Sequence, residues 1–284
     1  MPAPTNSASP ARAQSARLSF RDRRAKLRRM SSQSSRPLEF PDDVRPDFHG
    51  FSPAAFAFLK ELSDNNERAW FQDHKAQYDT DVKFAMECLL GEFAASRRPA
   101  GFPVQGDPSR GMFRIYRDVR FSKDKSPYKT HAGAVMTRSG TKGDPGLVYV
   151  HIEPGASFVS AGFYSPAREF LQAWRERIAA RPEEFLDLVA PFTAPRAKYE
   201  LRHRGALKTL PRGFKEHADS PVAEYLKWKH FLVSRSVTDK QAQSRGLIDI
   251  IRDLAETATP FLEFGWEIYE TAFEDDPRRH MRTG

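Results

Sequence analysis

Between Phe113 and His131 the chain reads FRIYRDVRFSKDKSPYKTH, which sets Arg114, Arg117, Arg120, Lys123, Lys125 and Lys129 against only two acids, Asp118 and Asp124. Arginine offers a planar fork of donors that matches a phosphate or carboxylate, and lysine a movable point charge, so residues of these types and spacing suit an anion site. In that reading Arg114, Arg117, Arg120, Lys125 and Lys129 hold the anion, and Asp118 and Asp124 orient them and join Tyr128 as catalytic candidates. Tyr128, between Lys125 and Lys129, is the candidate acid or base, a phenol whose pKa the nearby cations would lower. The competing reading is an ion-pair network in which the two aspartates simply hold the arginines, with Tyr128 packing its ring and hydrogen-bonding an Asp; such networks imitate functional sites.

A second basic run comprises Arg196, Lys198, Arg202, His203, Arg204, Lys208, Arg212 and Lys215, opposed only by Glu200. Lys208 and Arg212 are its candidate anion ligands, if the two runs meet. His151 and Glu153 stand two apart on an expected strand, so they share a face and, with Asp118 or Asp124, form a candidate Mg²⁺ or Mn²⁺ site for phosphoryl chemistry. A solvated sheet face explains the same spacing. With one cysteine and no paired-histidine motif, zinc has no sequence signature. Cys88 reads as a small hydrophobe on a helix rather than a nucleophile. The chain lacks Gly-x-Ser-x-Gly, a Walker-type loop and Gly-x-Gly-x-x-Gly. The interleaving of Phe113, Arg114, Ile115, Tyr116 and Arg117 also suits a stacking surface for single-stranded nucleic acid.

The formal charge of +8 speaks for nucleic acid only until it is located. Residues 1–36 hold nine Lys and Arg against one acid, Asp22, which leaves 36 bases and 36 acids for residues 37–284. A formally neutral domain argues against broad backbone binding, which scales with phosphate neutralisation, and leaves a small pocket open. The sequence therefore divides into a disordered basic tail (1–36), a single domain (37–276) and a short tail (277–284). The first tail is an upstream artefact of a start at Met30, an organellar presequence, or a basic arm for nucleic acid or anionic membrane. A single cysteine points to a reducing, cytoplasmic setting, organellar if the tail is a presequence. No apolar run approaches a membrane span.

The elements that must position these residues can be read from periodicity and punctuation. Ser52-Pro53 is a helix start, followed at helical spacing by Phe56, Leu59 and Leu62. A second helix carries Trp70 and Phe71, and a third carries Tyr78, Val82, Met86, Leu89 and Phe93 on one face. After Pro99 the pattern changes, and Met112–Asp118, His131–Thr137, Leu147–Glu153 and Ser157–Phe163 read as strands. Pro154-Gly155 turns the last two into a hairpin. Ser165-Pro166 then repeats the helix start ahead of Phe170, Trp174 and Ile178. Pro182 opens a further helix, and 191–220 is mostly irregular. Pro221 opens a helix through Trp228, and Phe231–Val237 is a strand. Thr238 or Asp239 caps a long helix with Leu247, Ile251 and Leu254, and Pro260 breaks it before a terminal helix. Helices, a mostly antiparallel sheet, then helices is an α+β order.

The run from Arg114 to Tyr128, Arg-x-x-Arg-Asp-x-Arg-Phe-x-x-Asp-Lys-x-x-Tyr, resembles the signature of an uncharacterised family, mainly bacterial and also fungal, known as a domain of unknown function. The likeness extends to FSPAAFAFLKELSDNNERAWFQDHKAQY, VYVHIEPGASFVSAGFYSP, LKTLPRGF and EYLKWKHF, from about residue 48 to residue 273. It implies one domain of this kind and brings no substrate with it. The function expected from the residues is a pocket for a phosphorylated or carboxylated small molecule, with hydrolase or transferase activity. The alternatives are a nucleic-acid-binding module on the same surface, or a structural ion-pair network with the function elsewhere.

Overall fold

A computed structural model describes residues 47–100, 103–203 and 205–273, without the side chains of 97–100. The expected tails 1–36 and 277–284, and Arg204, lie outside the described residues.

The chain opens with α1 (Pro53–Asp64), started as the sequence predicts: Pro53 takes the first helical position and Ser52 Oγ accepts from the Ala55 N–H at 3.1 Å. Its buried face is Ala55, Phe56, Phe58, Leu59 and Leu62. The short α2 (Arg68–Asp73) and α3 (Lys75–Gln77) follow. A π-helical segment, Tyr78–Lys83, then runs straight into α4 (Phe84–Ala100). The expected third helix is therefore interrupted, and the reason is geometric. Residues four apart drift about 40° per step around an α-helix. The wider π turn takes up that drift, so Tyr78, Val82, Met86, Leu89 and Phe93 all stay buried.

Six strands form one antiparallel sheet in the order β1-β2-β3-β4-β6-β5. They are β1 (Gln105–Gly106), β2 (Ala132–Thr137), β3 (Leu147–Ile152), β4 (Phe158–Phe163), β5 (Glu200–Arg202) and β6 (Phe231–Ser236). Alternate residues divide between two faces. Ala132, Ala134 and Met136, Val148, Val150 and Ile152, Val159, Ala161 and Phe163 belong to the hydrophobic core. On that side α4 packs on β1 and β2, while α9 (Gly246–Thr257) and α10 (Thr259–Ala272) pack on β3 and β4. The intervening helices are α5 (Arg168–Ala180), α6 (Pro182–Thr193), α7 (Ala223–Leu226) and α8 (Asp239–Ala242). The architecture is α+β, as read from the sequence. No described helix is long and apolar enough to cross a membrane.

Four further details differ from the sequence reading. Met112–Asp118 is not a strand: it makes only the isolated bridges Met112 to Ala134 and Tyr116 to Tyr128. The segment pairs with its own return limb, Arg117 N–H donating to Pro127 O at 2.9 Å and Lys129 N–H to Ile115 O at 2.8 Å. Pro127 has no N–H to extend that ladder, and the charged residues between form a loop. The Ser165-Pro166 start is also displaced, because α5 begins at Arg168. Ser165 adopts φ +50° and donates its N–H to His230 Nδ1 at 2.8 Å. Thr238 caps only the one-turn α8, in a reciprocal capping box with Gln241, and the long helix begins later, at Gly246. The helix expected from Pro221 to Trp228 is reduced to α7.

The helix layer is tied to the sheet around Trp174, whose ring contacts Phe163, Phe170, Phe231, Phe261 and Phe264. Gly265 lets this cluster close: a Cβ there would lie 2.2 Å from the Phe163 ring and 2.5 Å from Trp174. Gly→Ala inside a helix ordinarily stabilises by up to about 1 kcal/mol. At Gly265 overpacking of about 1–3 kcal/mol opposes that gain. We expect Gly265→Ala to lower the urea midpoint with an unchanged slope; a raised midpoint would contradict this packing.

Candidate functional site

The charged arm, residues 112–130, is built around Tyr128. Its side chain is 2% exposed and stacks on Phe71 of α2 at 4.1 Å between ring centres. Asn66 clamps the same residue, accepting from the Tyr128 N–H at 3.0 Å and donating to its carbonyl at 3.1 Å. Burial, followed by the neighbouring Tyr116, pushes the Tyr128 phenol up. The direction is opposite to the lowering expected from Lys125 and Lys129: burial disfavours the phenolate more than nearby Arg68 and Gln72 favour it.

The aspartates hold two of the arm's three arginines. Arg117 pairs with Asp124, and Arg120 with Asp118 at 2.7 Å. Both carboxyls lie well below the usual range, Asp118 through the Arg120 guanidinium and Asp124 through the Ser126 hydroxyl and then Arg117. Lys125 donates to Val119 O at 2.9 Å. These pairs are exposed to solvent, where ion pairs are weak. Arg117, Tyr116 and Tyr128 line a groove of about 330 Å³ beside Arg68 and Gln72.

A larger cleft, about 910 Å³, lies on the sheet face away from the helices. Its floor is the second residue set of the same strands: Leu147, Tyr149 and His151 of β3, Phe158 and Ser160 of β4, Leu232 and Ser234 of β6. The register lines these up in rows, Gly133 to His151 to Phe158 and Val135 to Tyr149 to Ser160 to Ser234. Gly133 makes room for the Tyr149 ring, since a Cβ would sit 2.6 Å from its hydroxyl.

A hydrogen-bonded chain crosses this floor. Tyr149 Oη lies 3.0 Å from His151 Nδ1, and His151 Nε2 lies 2.9 Å from Glu153 Oε2. The Thr130 hydroxyl donates to the other Glu153 oxygen at 3.4 Å, and Ser157 Oγ accepts from the Glu153 N–H at 3.0 Å. The His131 ring lies 4.2 Å from that of His151. Burial, then His151, pulls His131 down to about 4, against the opposing pull of Glu153. One ligating atom from each of His131, His151 and Glu153 falls within a 4.8 Å group. Asp118 and Asp124, offered by the sequence as further metal ligands, are engaged in the arm instead.

Lys129 leaves the arm and lines this cleft together with Phe113. Its ammonium donates to Arg114 O at 2.7 Å and stands 5.5 Å from the Phe113 ring, with Lys142 5.7 Å from the same ring. Burial, then Arg114 and Lys142, pulls the Lys129 ammonium down. Among the described residues no carboxylate lies within ion-pairing distance of Arg114, Lys129 or Lys142.

The second basic run reaches the same cleft only in part. Arg202 and His203 line it, as does Arg235 of β6. Lys208 and Arg212 are exposed and line neither cavity. Lys198 pairs with Asp253 of α9 at 2.8 Å, an acid remote in sequence. Sequence reasoning missed His131, Tyr149 and Phe113 as cleft residues. The available signal was the alternation in Leu147-Val-Tyr-Val-His-Ile152, whose polar members share one face.

The fold and this site define an α+β domain of the kind the sequence resembles. The chain belongs to the family described as Conserved hypothetical protein (DUF2461), whose profile matches residues 54–264. No curated protein and no solved structure matches the chain. All the cleft residues fall inside the matched span.

The arm makes a direct comparison possible. Asn66→Ala leaves two partly buried backbone groups of Tyr128 unpaired, and we expect a loss of about 1–2 kcal/mol in denaturant unfolding. Arg117→Ala breaks a solvated pair and should leave the midpoint nearly unchanged. The reverse ranking would make the ion pairs the structural support of the arm.

Proposed function

We propose that the cleft on the open sheet face binds a small molecule that carries a phosphate or carboxylate beside an apolar or aromatic body. Lys129 carries this reading. A half-buried ammonium whose charged neighbours are cations is costly unless an anion completes it. It stands at the wall of a cleft floored by Tyr149, Phe158, Leu147 and Leu232, which suits the body of such a ligand. Arg114 lies beside Lys129, which donates to its carbonyl, and Arg202, paired with Glu200, lines the cleft as well.

The proposal narrows the anion ligands expected from sequence. It retains Arg114 and Lys129. It leaves out Arg117 and Arg120, which pair with Asp124 and Asp118, and Lys125, Lys208 and Arg212, which do not line the cleft. For hydrolysis or group transfer, the acid–base candidates move from Tyr128, Asp118 and Asp124 to the Tyr149–His151–Glu153 chain, which faces the cleft. A concave site on a formally neutral domain favours a small ligand over a polynucleotide.

The test is thermal shift of the full chain with aromatic carboxylates, sugar phosphates, nucleotides and short oligonucleotides at two salt concentrations. A ligand at 100 times its Kd adds about 2.7 kcal/mol, a shift of several degrees. We expect a small anion to give that shift, Lys129→Ala to remove it while still folding, and salt to weaken it only modestly. A hit sensitive to Arg117→Ala but not Lys129→Ala would place the site in the arm. Steep salt dependence with oligonucleotides alone would favour the nucleic-acid reading.

A further inference from the structure

We propose that His131, His151 and Glu153 bind a divalent transition-metal ion, of the zinc or ferrous type, at the floor of the cleft. This goes beyond anion binding and does not depend on it.

The three residues meet because of strand register. Ala132 pairs with Ile152 and Gly133 with His151, so continuing the ladder by one residue sets His131 opposite Glu153. By the same parity all three side chains belong to the open face. They project from the ends of two paired strands, a more rigid mount than the loop that carries Asp118 and Asp124.

The distances suit an ion. The ligating atoms lie within 4.8 Å of one another, and the closest pair is His151 Nε2 to Glu153 Oε2 at 2.9 Å. Two donors about 2.1 Å from a common ion are at most about 4.2 Å apart. Modest side-chain rotation therefore closes the group, with no movement of the strands. The donor set selects the type of metal. Two imidazoles and one carboxylate match catalytic zinc sites and the facial triad of non-haem iron, whereas Mg²⁺ takes oxygen ligands. The Mg²⁺ or Mn²⁺ expected from His151 and Glu153 with Asp118 or Asp124 gives way to a softer ion once His131 stands in place of the aspartates.

The surrounding hydrogen bonds are those a ligand set needs. Tyr149 Oη occupies Nδ1 of His151 at 3.0 Å, which assigns Nε2 to the metal and fixes the ring orientation. The ring is stacked on Phe158 at 4.6 Å and is 8% exposed. Thr130 contacts the second Glu153 oxygen, and Ser157 fixes the Glu153 backbone. Three protein ligands that open on a cleft leave coordination positions for water or for the anionic group of a ligand beside Lys129. An ion so placed would lower the pKa of a bound water toward neutrality.

The test is equilibrium dialysis of the purified full chain against Zn²⁺, Co²⁺ and Mg²⁺ singly, with the visible spectrum of the Co²⁺ form as a second readout. We expect one equivalent of Zn²⁺ or Co²⁺ and d–d bands of low-symmetry coordination. His131→Gln and Glu153→Gln should each lose the equivalent and the bands while retaining the wild-type circular dichroism. Tyr149→Phe, which keeps the ligands, should weaken affinity about 10–100-fold. Lys129→Ala should retain the metal even where it loses anion binding, which separates the two proposals. Absence of Zn²⁺ and Co²⁺ binding by the folded wild type, binding that survives both ligand variants, or binding of Mg²⁺ alone would overturn the assignment.

Discussion

The sheet has one dry face and one open face, and everything else in the domain is arranged around that asymmetry. In β3 it operates residue by residue: Val148, Val150 and Ile152 enter the helix layer, while Leu147, Tyr149 and His151 face the cleft. A slip of one residue against β2 would turn Tyr149 and His151 into the helix layer and the valines toward the cleft, so the apolar set holds the polar set in place. The burial that stabilises the domain thus also fixes the candidate site. The Trp174 cluster and Gly265 act at one remove, by holding the helices to the back of the sheet.

On the proposed reading, the charged arm frames the candidate site and contributes little of its substance. Asn66 and the ring of Phe71 anchor Tyr128 to the N-terminal helices. The exposed Arg117–Asp124 and Arg120–Asp118 pairs shape the loop between its two limbs. Its two ends deliver Phe113 and Lys129 to the cleft wall and His131 to the floor. A dense run of charge in a sequence can therefore mark the edge of a site whose floor is made of quieter residues.

The sequence revealed most of the scaffold and only part of the site. Runs bounded by Gly and Pro signals exposed β2, β3, β4 and β6, and proline and serine punctuation located α1 and α6. β1 and β5, two and three residues long, have too few positions for a period to show. The π turn was hidden because its effect is to preserve the apolar stripe. His151, Glu153 and Lys129 were legible as chemistry. His131 and Tyr149 were not, because His131 joins the others through strand pairing across 20 residues, and Tyr149 looked like any strand tyrosine. Tyr128 was read from its sequence neighbours, whereas in space its ring stacks on Phe71 and Asn66 holds its backbone, beside Tyr116, Arg68 and Gln72.

The central claim is that the working surface is the open sheet face. The most direct measurement is a crystallographic soak of the full chain with a library of small aromatic carboxylates and phosphates. The expected result is density over Tyr149 and Phe158, with acidic groups clustered at Lys129. Density gathered instead in the groove between Tyr116 and Arg117, with the sheet face empty throughout, would contradict it and return the site to the arm.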